Sequence, residues 1–404
     1  MSIYQPTLQW INQRRSAMAE QLLQLCEINS GSENLEGLRR VDALLQPGLE
    51  RIGGEIRRVN LPDRTTITSL GKLVRSPLAP AISLRQRPDA PVRIFLAIHM
   101  DTVYGVDSPF QHVTPFGSDR WVGPGVVDAK GGLVVMLTAL EALEKSEAAN
   151  QIGWEVLINP DEEIGSPGSA PLFAEAAKRN HCGLVFEPAL PDGNLVSSRK
   201  GSWSYALVIR GKSAHVGRDI TAGRNAIHVL AQSITAIAAM QDLDRGITVN
   251  VGRIDGGGPT NVVPDLAICR FNVRCNQLAD HARVVSQLHE LVAKTNANGV
   301  TAEMHETSTC PPKPINDATS RLFNTVAGCG KALGLDLSWR PTGGVCDGNR
   351  LVAAGLPTID TMGPRGGNLH SDSEYIMLDS LVERASLCAM VLLKLGETGV
   401  ACVA

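Results

Sequence analysis

Short apolar runs alternate along this chain with segments whose apolar residues recur at helical spacing. The clearest run, Ile94 to Ile98, is unbroken and stops at His99, which is typical of a strand buried on both faces. Similar runs at 154–159 and 183–186 are followed by acidic residues. Strands that alternate with helices indicate an α/β fold, with a mixed, mostly parallel sheet flanked by helices. The predicted helices lie at about 6–27, 34–52, 133–145, 320–333 and 378–395, and further strands at 55–59 and 357–362.

The pattern changes at about residue 200 and changes back at Pro311 and Pro312. The elements predicted between these points are strands at 202–209, 247–254, 265–273 and 300–306, with helices at 225–240 and 279–297. Their order, β-α-β-β-α-β, is that of a compact, ferredoxin-like α+β unit. We therefore expect a discontinuous first domain, residues 1–199 and 311–404, with a lid domain inserted at 200–310.

Composition narrows the class of protein. The 404 residues are enough for two domains, and 43% hydrophobic with 20% charged residues is ordinary for a soluble globular protein. A net charge of -3 favours neither nucleic acid nor an anionic membrane as a partner. The sequence shows neither a signal-peptide pattern nor a stretch of membrane-spanning length. Nine dispersed cysteines, without a Cys-x-x-Cys pair, favour reduced thiols and a cytoplasmic location.

Two residues at the end of the first apolar run are suited to a metal site. His99 and Asp101 lie two positions apart, so on an extended backbone their side chains point to the same side. One of them can bind a metal while the other orients it. Because a single His-x-Asp is a weak signal, its meaning depends on the acidic residues that follow.

A glycine-rich segment at 121–132 places Asp128 just before a predicted helix. Asp128 could be an ordinary helix N-cap, which would need no further role. A simple cap does not require so many glycines, so the segment alone leaves both interpretations open.

Three further acidic or imidazole side chains follow strand ends or lie in glycine-rich loops. Glu163 belongs to the run Asp161 to Glu163, Glu187 follows the run at 183–186, and His370 lies in a polar loop. Adjacent carboxylates repel each other unless a cation lies between them. The carboxyl ends of parallel strands converge on one crevice, so we expect these side chains to meet His99 and Asp128 there. Two imidazoles and three carboxylates suffice for two divalent metals that share one carboxylate, and nitrogen and oxygen ligands suit zinc, with cobalt or manganese as substitutes.

At this point the chain closely resembles the zinc-dependent superfamily of acetylornithine deacetylase, succinyl-diaminopimelate desuccinylase and bacterial glutamate carboxypeptidase. The matching motifs run in the family's order over nearly the whole chain. They are His99-Met-Asp101-Thr-Val, Gly123-Pro-Gly-Val-Val-Asp128-Ala-Lys-Gly-Gly, Asp161-Glu162-Glu163-Ile-Gly, Glu187-Pro, Gly211-Lys-Ser-Ala-His215 and His370-Ser-Asp. Thr342-Gly-Gly and Asn261-Val-Val-Pro place the resemblance nearest the glutamate carboxypeptidase branch. The resemblance implies a zinc exopeptidase-like catalytic domain.

The resemblance also implies a role for each residue of the site. Asp128 would bridge two zinc ions, with His99 and Glu187 on one of them and Glu163 and His370 on the other. Glu162 would be the general base for a water that the two metals share, and would later protonate the leaving amine. Asp101 would hold His99 through its other ring nitrogen, and the bond between Asp128 and Ala129 would be cis.

Weaker assignments concern the lid. The resemblance implies that His215 reaches across a homodimer interface and stabilises the oxyanion in the partner's site. Without the resemblance, His215 would be interpreted as an ordinary surface histidine, and Arg274 as a plain strand residue. With it, Asn261, Arg274 and Gly344 are predicted to contact substrate, and Arg274 to bind a free carboxylate as a bidentate fork.

The leading interpretation is a di-zinc metallohydrolase of carboxypeptidase type. It would cleave an amide or peptide bond beside a free α-carboxylate, in a small peptide or N-acyl amino acid. Within the same class, the alternative is an N-acyl amino-acid deacetylase. From another class, the alternative is a catalytically inactive metal-binding homologue, although the presence of Glu162, Asp101 and all five ligands argues against it.

Overall fold

The computed structural model describes residues 4–297 and 299–399. Within these ranges the helices are α1 (Gln5–Gln13), α2 (Arg15–Cys26), α3 (Leu35–Ile52), α4 (Lys130–Glu144), α5 (Ala170–Ala177), α6 (Val216–Asp219), α7 (Ala226–Ala238), α8 (Leu278–Asn296), α9 (Asp317–Ala332), α10 (Asp347–Ala353) and α11 (Asp379–Thr398). The strands are β1 (Glu55–Val59), β2 (Arg64–Ile67), β3 (Leu73–Ser76), β4 (Ala81–Gln86), β5 (Val92–His99), β6 (Thr114–Phe116), β7 (Arg120–Val122), β8 (Ile152–Asn159), β9 (Cys182–Val185), β10 (Leu195–Arg199), β11 (Gly201–Arg210), β12 (Thr248–Gly256), β13 (Leu266–Cys275), β14 (Thr301–Cys310), β15 (Trp339–Thr342), β16 (Thr358–Ile359), β17 (Gly366–Gly367) and β18 (Tyr375–Met377).

A six-stranded sheet forms the centre of the larger part of the fold. Its strand order is β1-β4-β8-β5-β9-β16, with β5 parallel to β8 and β9, and β9 parallel to β16. The β4 and β1 strands extend the sheet in antiparallel pairing. Every residue of β8 is buried, as is β5 from Ile94 onwards, which explains why neither sequence alternates. The predicted mixed, mostly parallel sheet is confirmed.

Helices cover both faces of this sheet. The α4 helix packs against α2, α3 and α11, and it is apolar nearly all round because its neighbours bury almost all of it. On the other face Phe95 and Leu157 pack with Phe173 of α5 and Leu351 of α10. None of the helices in the described ranges is both long and apolar enough to cross a lipid bilayer. With both faces covered, the carboxyl end of the strands is where polar side chains can gather.

A second, four-stranded sheet lies between residues 201 and 310. Its order is β12-β13-β11-β14, with antiparallel pairing throughout. The α7 and α8 helices pack on this sheet, and their apolar faces close a separate core. On the opposite face of this sheet, the β2–β3 hairpin contributes Ile67 to a small cluster with Val208 and Ile268. The predicted α+β unit is therefore present, while the domain boundaries at 199/200 and 310/311 stay a prediction.

Several local predictions differ from the structure. The helix expected at about 6–27 is two helices, because the backbone leaves the helix at Arg14, where neither glycine nor proline marks a break. The polar, proline-containing stretch before β5 contains three strands, of which β2 and β3 pair with each other as a short hairpin, while β4 pairs with the distant β8. The strand expected at 357–362 is only Thr358–Ile359, since just these two residues pair with β9.

Candidate metal centre

His99 ends β5 and is almost fully buried, at 1% exposure. Its Nδ1 atom lies 3.0 Å from the backbone oxygen of Asp101 and 3.3 Å from that residue's Oδ1. Both contacts fix the ring, so that Nε2 faces the crevice. The resemblance implied that Asp101 holds His99 through this ring nitrogen, and the backbone carbonyl of Asp101 is a second partner of the same atom.

The Asp101 carboxylate also organises the loop that follows β8. It accepts hydrogen bonds from the backbone N–H groups of Glu162, at 3.2 Å, and Glu163, at 3.1 Å. The hydroxyl of Ser32 donates to the same carboxylate at 2.6 Å. One fully buried side chain thus couples the end of β5 to the acidic loop, which begins a 3-10 turn at Glu162.

Asp128 lies between two imidazoles. His99 Nε2 is 3.2 Å from Asp128 Oδ1, and His370 Nε2 is 3.4 Å from Asp128 Oδ2. The bond between Asp128 and Ala129 is cis, as the resemblance implied. The N-cap of α4 is Ala129, without a side-chain cap bond, so the interpretation of Asp128 as an ordinary cap is wrong.

The glycines around Asp128 have a packing reason. A Cβ on Gly132 would lie 2.1 Å from the carbonyl oxygen of Phe186, and one on Gly131 would lie 2.6 Å from that of Val126. Only glycine therefore lets α4 begin so close to the end of β9. This close approach brings Asp128 and Glu187 to the same crevice.

Each imidazole has a second carboxylate partner. Glu187 Oε1 lies 3.8 Å from His99 Nε2, and Glu163 Oε2 lies 3.3 Å from His370 Nε2. The structure thus brings together all five side chains predicted as ligands, in two groups that share Asp128.

The donor set fits a metal. Ligand atoms of His99, Asp128 and Glu163 all lie within 4.8 Å of one another. The other oxygen of Glu163, Oε1, is buried without a hydrogen-bond partner in the described residues. A buried, unpartnered carboxylate oxygen is costly, and a cation among these groups would remove that cost.

The charges lead to the same conclusion. Burial raises the pKa of Glu187 to about 8, although the nearby His99 opposes the shift. Hydrogen bonds to Asp128 and Glu163 raise the pKa of His370 to about 11. These raised pKa values mean that the carboxylates have too little positive charge around them. Protons held on the imidazoles supply part of that charge. A divalent cation would take over that role and displace the protons.

Glu162 differs from its neighbours. Its side chain is half-buried and accepts no hydrogen bond from any described residue. Burial, and next the charge of Glu187, raise the pKa of Glu162 well above its usual value. A carboxylate that is desolvated but uncommitted is suited to taking up a proton.

Two buried carboxylates that sequence reasoning left without a role support the site. Glu374 accepts hydrogen bonds from the backbone N–H groups of Val127 and Asp128, both at 3.0 Å, and from the hydroxyl of Tyr104 at 2.8 Å. The only sequence signal is its position four residues after His370.

The second supporting carboxylate is Asp347, at the start of α10. It accepts hydrogen bonds from Asn159 at 2.8 Å, Ser166 at 2.5 Å and Arg350 at 3.1 Å. It therefore ties the end of β8 and the acidic loop to α10. Its glycine-rich turn was visible in the sequence, but its partners were not.

The residues predicted to contact substrate fall into two groups. Arg274 Nη1 donates to the backbone oxygen of Gly343 at 2.7 Å, so it lies beside Gly344. His215 and Asn261 are exposed and lie close together, since Val216 N–H donates to the Asn261 backbone oxygen at 3.0 Å. Among the described residues, no hydrogen bond or ion pair links His215 to the metal-binding side chains.

A cavity of about 860 Å³ opens beside the cluster. Glu163 forms one side of it, with Ser32 and Arg64 among the polar side chains and Val103 among the apolar ones. A cavity of this size accommodates a dipeptide-sized molecule next to the carboxylates.

Comparison with known proteins agrees with this geometry. The chain is 26% identical over 387 residues to carboxypeptidase G2 of Pseudomonas sp. strain RS-16, covering 94% of this chain and 89% of that protein. It is 28% identical over 291 residues to succinyl-diaminopimelate desuccinylase of Nitrosospira multiformis, covering 68% of this chain and 74% of that one. The structure resembles the M20 family metallo-carboxypeptidase Sso-CP2 of Sulfolobus solfataricus, with a TM-score of 0.74, 18% identity, and coverage of 94% of this chain and 99% of that one.

The family model described as Peptidase family M20/M25/M40 matches residues 95–394, which is most of the chain and includes all five residues of the cluster. The chain therefore belongs to peptidase family M20/M25/M40, and it is a hydrolase of the metallopeptidase type.

Proposed function

We propose that this hydrolase uses two zinc ions to cleave an amide or peptide bond next to a residue with a free α-carboxylate. The observation that carries the proposal is the position of Asp128, whose two oxygens face two different imidazoles. Each imidazole also faces a carboxylate of its own. This is the donor arrangement that a pair of metals sharing one carboxylate requires.

His99, Glu187 and Asp128 would hold one zinc ion, and His370, Glu163 and Asp128 the other. Nitrogen and oxygen donors without thiolate suit zinc, and cobalt or manganese would substitute. When bound, two metals lower the pKa of a water and polarise the carbonyl of the scissile bond.

Glu162 moves the proton in this proposal. Its carboxylate takes a proton from the attacking water and delivers it to the leaving nitrogen, which otherwise departs as a poor leaving group. The uncommitted side chain of Glu162 supports this role, and the hydrogen bond from its backbone N–H to Asp101 fixes its position. Glu163, one residue later, faces His370 instead, so in this proposal Glu163 binds metal and Glu162 transfers the proton.

Arg274 would bind the α-carboxylate of the substrate. It is half-buried and has no carboxylate partner among the described residues, which leaves its charge available. We expect Arg274→Ala to raise KM for dipeptides with a free α-carboxylate by about 10-fold or more, because a charge-assisted hydrogen bond is lost. KM for amidated analogues should change little. Equal effects on both substrate sets would contradict the assignment.

A panel of dipeptides and N-acyl amino acids, assayed with zinc-loaded protein, tests the function as a whole. Hydrolysis of free-carboxylate substrates that stops on metal chelation and returns with zinc supports the proposal. Turnover that survives complete metal removal would contradict it.

The second candidate is an N-acyl amino-acid deacylase. The similarity to succinyl-diaminopimelate desuccinylases favours it, since those relatives are named for removing an acyl group. The same panel decides between the two, because a deacylase would prefer N-acyl amino acids to dipeptides in kcat/KM.

We also propose that the active unit is a homodimer in which His215 serves the partner's site. The exposed position of His215, away from the cluster of its own chain, supports this idea, and so does the largely exposed edge strand β12. His215→Ala should then lower kcat about 10²–10³-fold, as expected for loss of an oxyanion donor, without changing metal content.

Subunit mixing tests this arrangement. Hybrid dimers of His215→Ala and Glu162→Gln chains would contain one site with both defects and one with neither. Random exchange should therefore restore about a quarter of wild-type activity. If activity does not return in a mixture shown to have exchanged, His215 does not act across an interface.

We propose a cytoplasmic location from the state of the cysteines. Seven buried cysteines in the described ranges are free thiols, namely Cys26, Cys269, Cys275, Cys310, Cys329, Cys346 and Cys388, and Cys402 lies outside those ranges. A reducing compartment keeps thiols in this state.

A further inference from the structure

A cavity of about 250 Å³ lies at the other end of the central sheet from the metal centre. It is lined by Arg85 of β4, Arg93 of β5, Glu155 of β8 and Arg179, which follows α5. A strand rises about 3.3 Å per residue, so the backbone of Arg93 lies about 20 Å from that of His99 on the same strand. This cavity, here called the basic cavity, is therefore separate from the metal centre.

Positive charge exceeds negative charge in the basic cavity. Its guanidinium groups are those of Arg85, Arg87, Arg93 and Arg179. Two carboxylates pair with them: Glu144 accepts from Arg87, and the buried Glu155 accepts from Arg179 and, at 3.4 Å, from Arg85. Within the described residues Arg93 has no carboxylate partner. Four cations against two anions leave two positive charges uncompensated.

Two N–H groups of Arg93 point at the His181 ring, which cannot accept hydrogen bonds from both. The backbone N–H of Arg93 points at His181 Nδ1, and its guanidinium Nη2 points at His181 Nε2, each at 3.0 Å. A neutral imidazole has only one acceptor nitrogen. Burial, and next the charge of Arg93, lower the pKa of His181, which favours the neutral ring. The Nε and Nη1 atoms of Arg93 donate to the backbone oxygens of Arg179, at 2.7 Å, and Ala90, at 3.2 Å, so the donor that meets another N–H and lacks an acceptor is one of the two at His181.

Two more guanidinium groups have free donors here. Arg179 uses Nε and Nη2 on Glu155, which leaves its Nη1 without an acceptor in the described part of the chain. Arg85 makes a single long contact and its side chain is 41% exposed. An anion can therefore be bound without breaking the pairs that Glu155 already makes.

We propose that the basic cavity binds a small phosphate-type oxyanion, either free phosphate or the phosphate group of a small monoester. The guanidinium fork matches the oxygens of phosphate, which accept several hydrogen bonds at once. The volume is several times that of one water, about 30 Å³, so it has room for the anion and for a short organic group. The anion supplies the acceptor that Arg93 lacks and offsets the excess charge.

Metal-loaded protein titrated with inorganic phosphate or glycerol 3-phosphate tests the proposal, with hydrogen–deuterium exchange as the local readout. We expect saturable protection of peptides covering 85–93, 152–155 and 179–181. Phosphate can also reach the metal centre, and protection confined to peptides covering 99–104 and 161–165 would overturn the proposal. Tighter binding of glycerol 3-phosphate would identify a monoester as the ligand, and equal binding the free anion.

Two variants give the matched comparison. Arg85→Gln should weaken binding at the basic cavity at least about tenfold, since one charge-assisted contact is lost. Arg75→Gln removes the same charge from an exposed position on β3, outside the basic cavity, and should bind like wild type. If both variants bind phosphate equally weakly, the effect is charge screening and the proposal is overturned. The same holds if acetate, at matched ionic strength, protects the same peptides as well as phosphate does.

Discussion

Glu162→Gln is expected to lower kcat by about 10²–10⁴-fold while the metal content stays at the wild-type level. The side chain accepts no hydrogen bond in the described residues and lies outside the pairs around Asp128, so the substitution removes a base but neither a ligand nor a structural contact. Steady-state kinetics with elemental analysis of the same preparation checks both halves of the expectation.

Glu175→Gln is the matched control for that experiment. Glu175 is an exposed acid on α5 whose partner is Lys178, and its substitution should leave kcat unchanged. Thermal melting of both variants should agree with wild type, because neither carboxylate holds the core together. A Glu162→Gln variant that keeps nearly wild-type kcat would show that another group takes the proton.

Asp128→Ala is expected to remove both metals, whereas His370→Ala should weaken mainly one. Asp128 is the only side chain of the cluster that faces both imidazoles, so its loss disrupts both groups of donors. Within the described part of the chain, the imidazole of His370 pairs with the carboxylates of Asp128 and Glu163 alone, and its removal leaves His99 with Glu187. Elemental analysis after gel filtration measures the metal content of each variant.

The control for this pair is Asp336→Ala, a carboxylate removed from an exposed surface position. It should retain the wild-type metal content. Circular dichroism should show a native spectrum for every variant compared, because an unfolded chain would lose metal for a trivial reason. Two full metal equivalents on a folded Asp128→Ala protein would contradict the shared-carboxylate arrangement.

Much of the site was predictable because its residues follow local patterns. An unbroken apolar run predicts a buried strand wherever it occurs, and its last polar residue marks the strand end, as His99 does for β5. The same reasoning located Glu163 and Glu187 at the ends of β8 and β9. A periodicity of two residues (strand) or of 3.6 residues (helix) depends only on positions close together in the sequence, so it can be recognised without knowledge of the fold.

Other features were invisible because they depend on strand register and on helix packing. Glu374 and Asp128 are 246 positions apart, and nothing near Glu374 indicates that its carboxylate will accept the Asp128 N–H. The strand β4 was missed for the same reason, because its pairing with the distant β8, rather than local propensity, decides it.

The sequence by itself determined the type of chemistry, since the imidazoles and carboxylates, their positions at strand ends and the order of the motifs are all properties of the chain. The tertiary structure decided which oxygen of Asp128 faces which imidazole, that Arg274 lies beside the turn containing Gly344, and that four arginines from three segments of the chain line one cavity. The physical reason is that such contacts arise when parallel and antiparallel strands align residues from remote parts of the chain, and that alignment is set by the packing of the whole core.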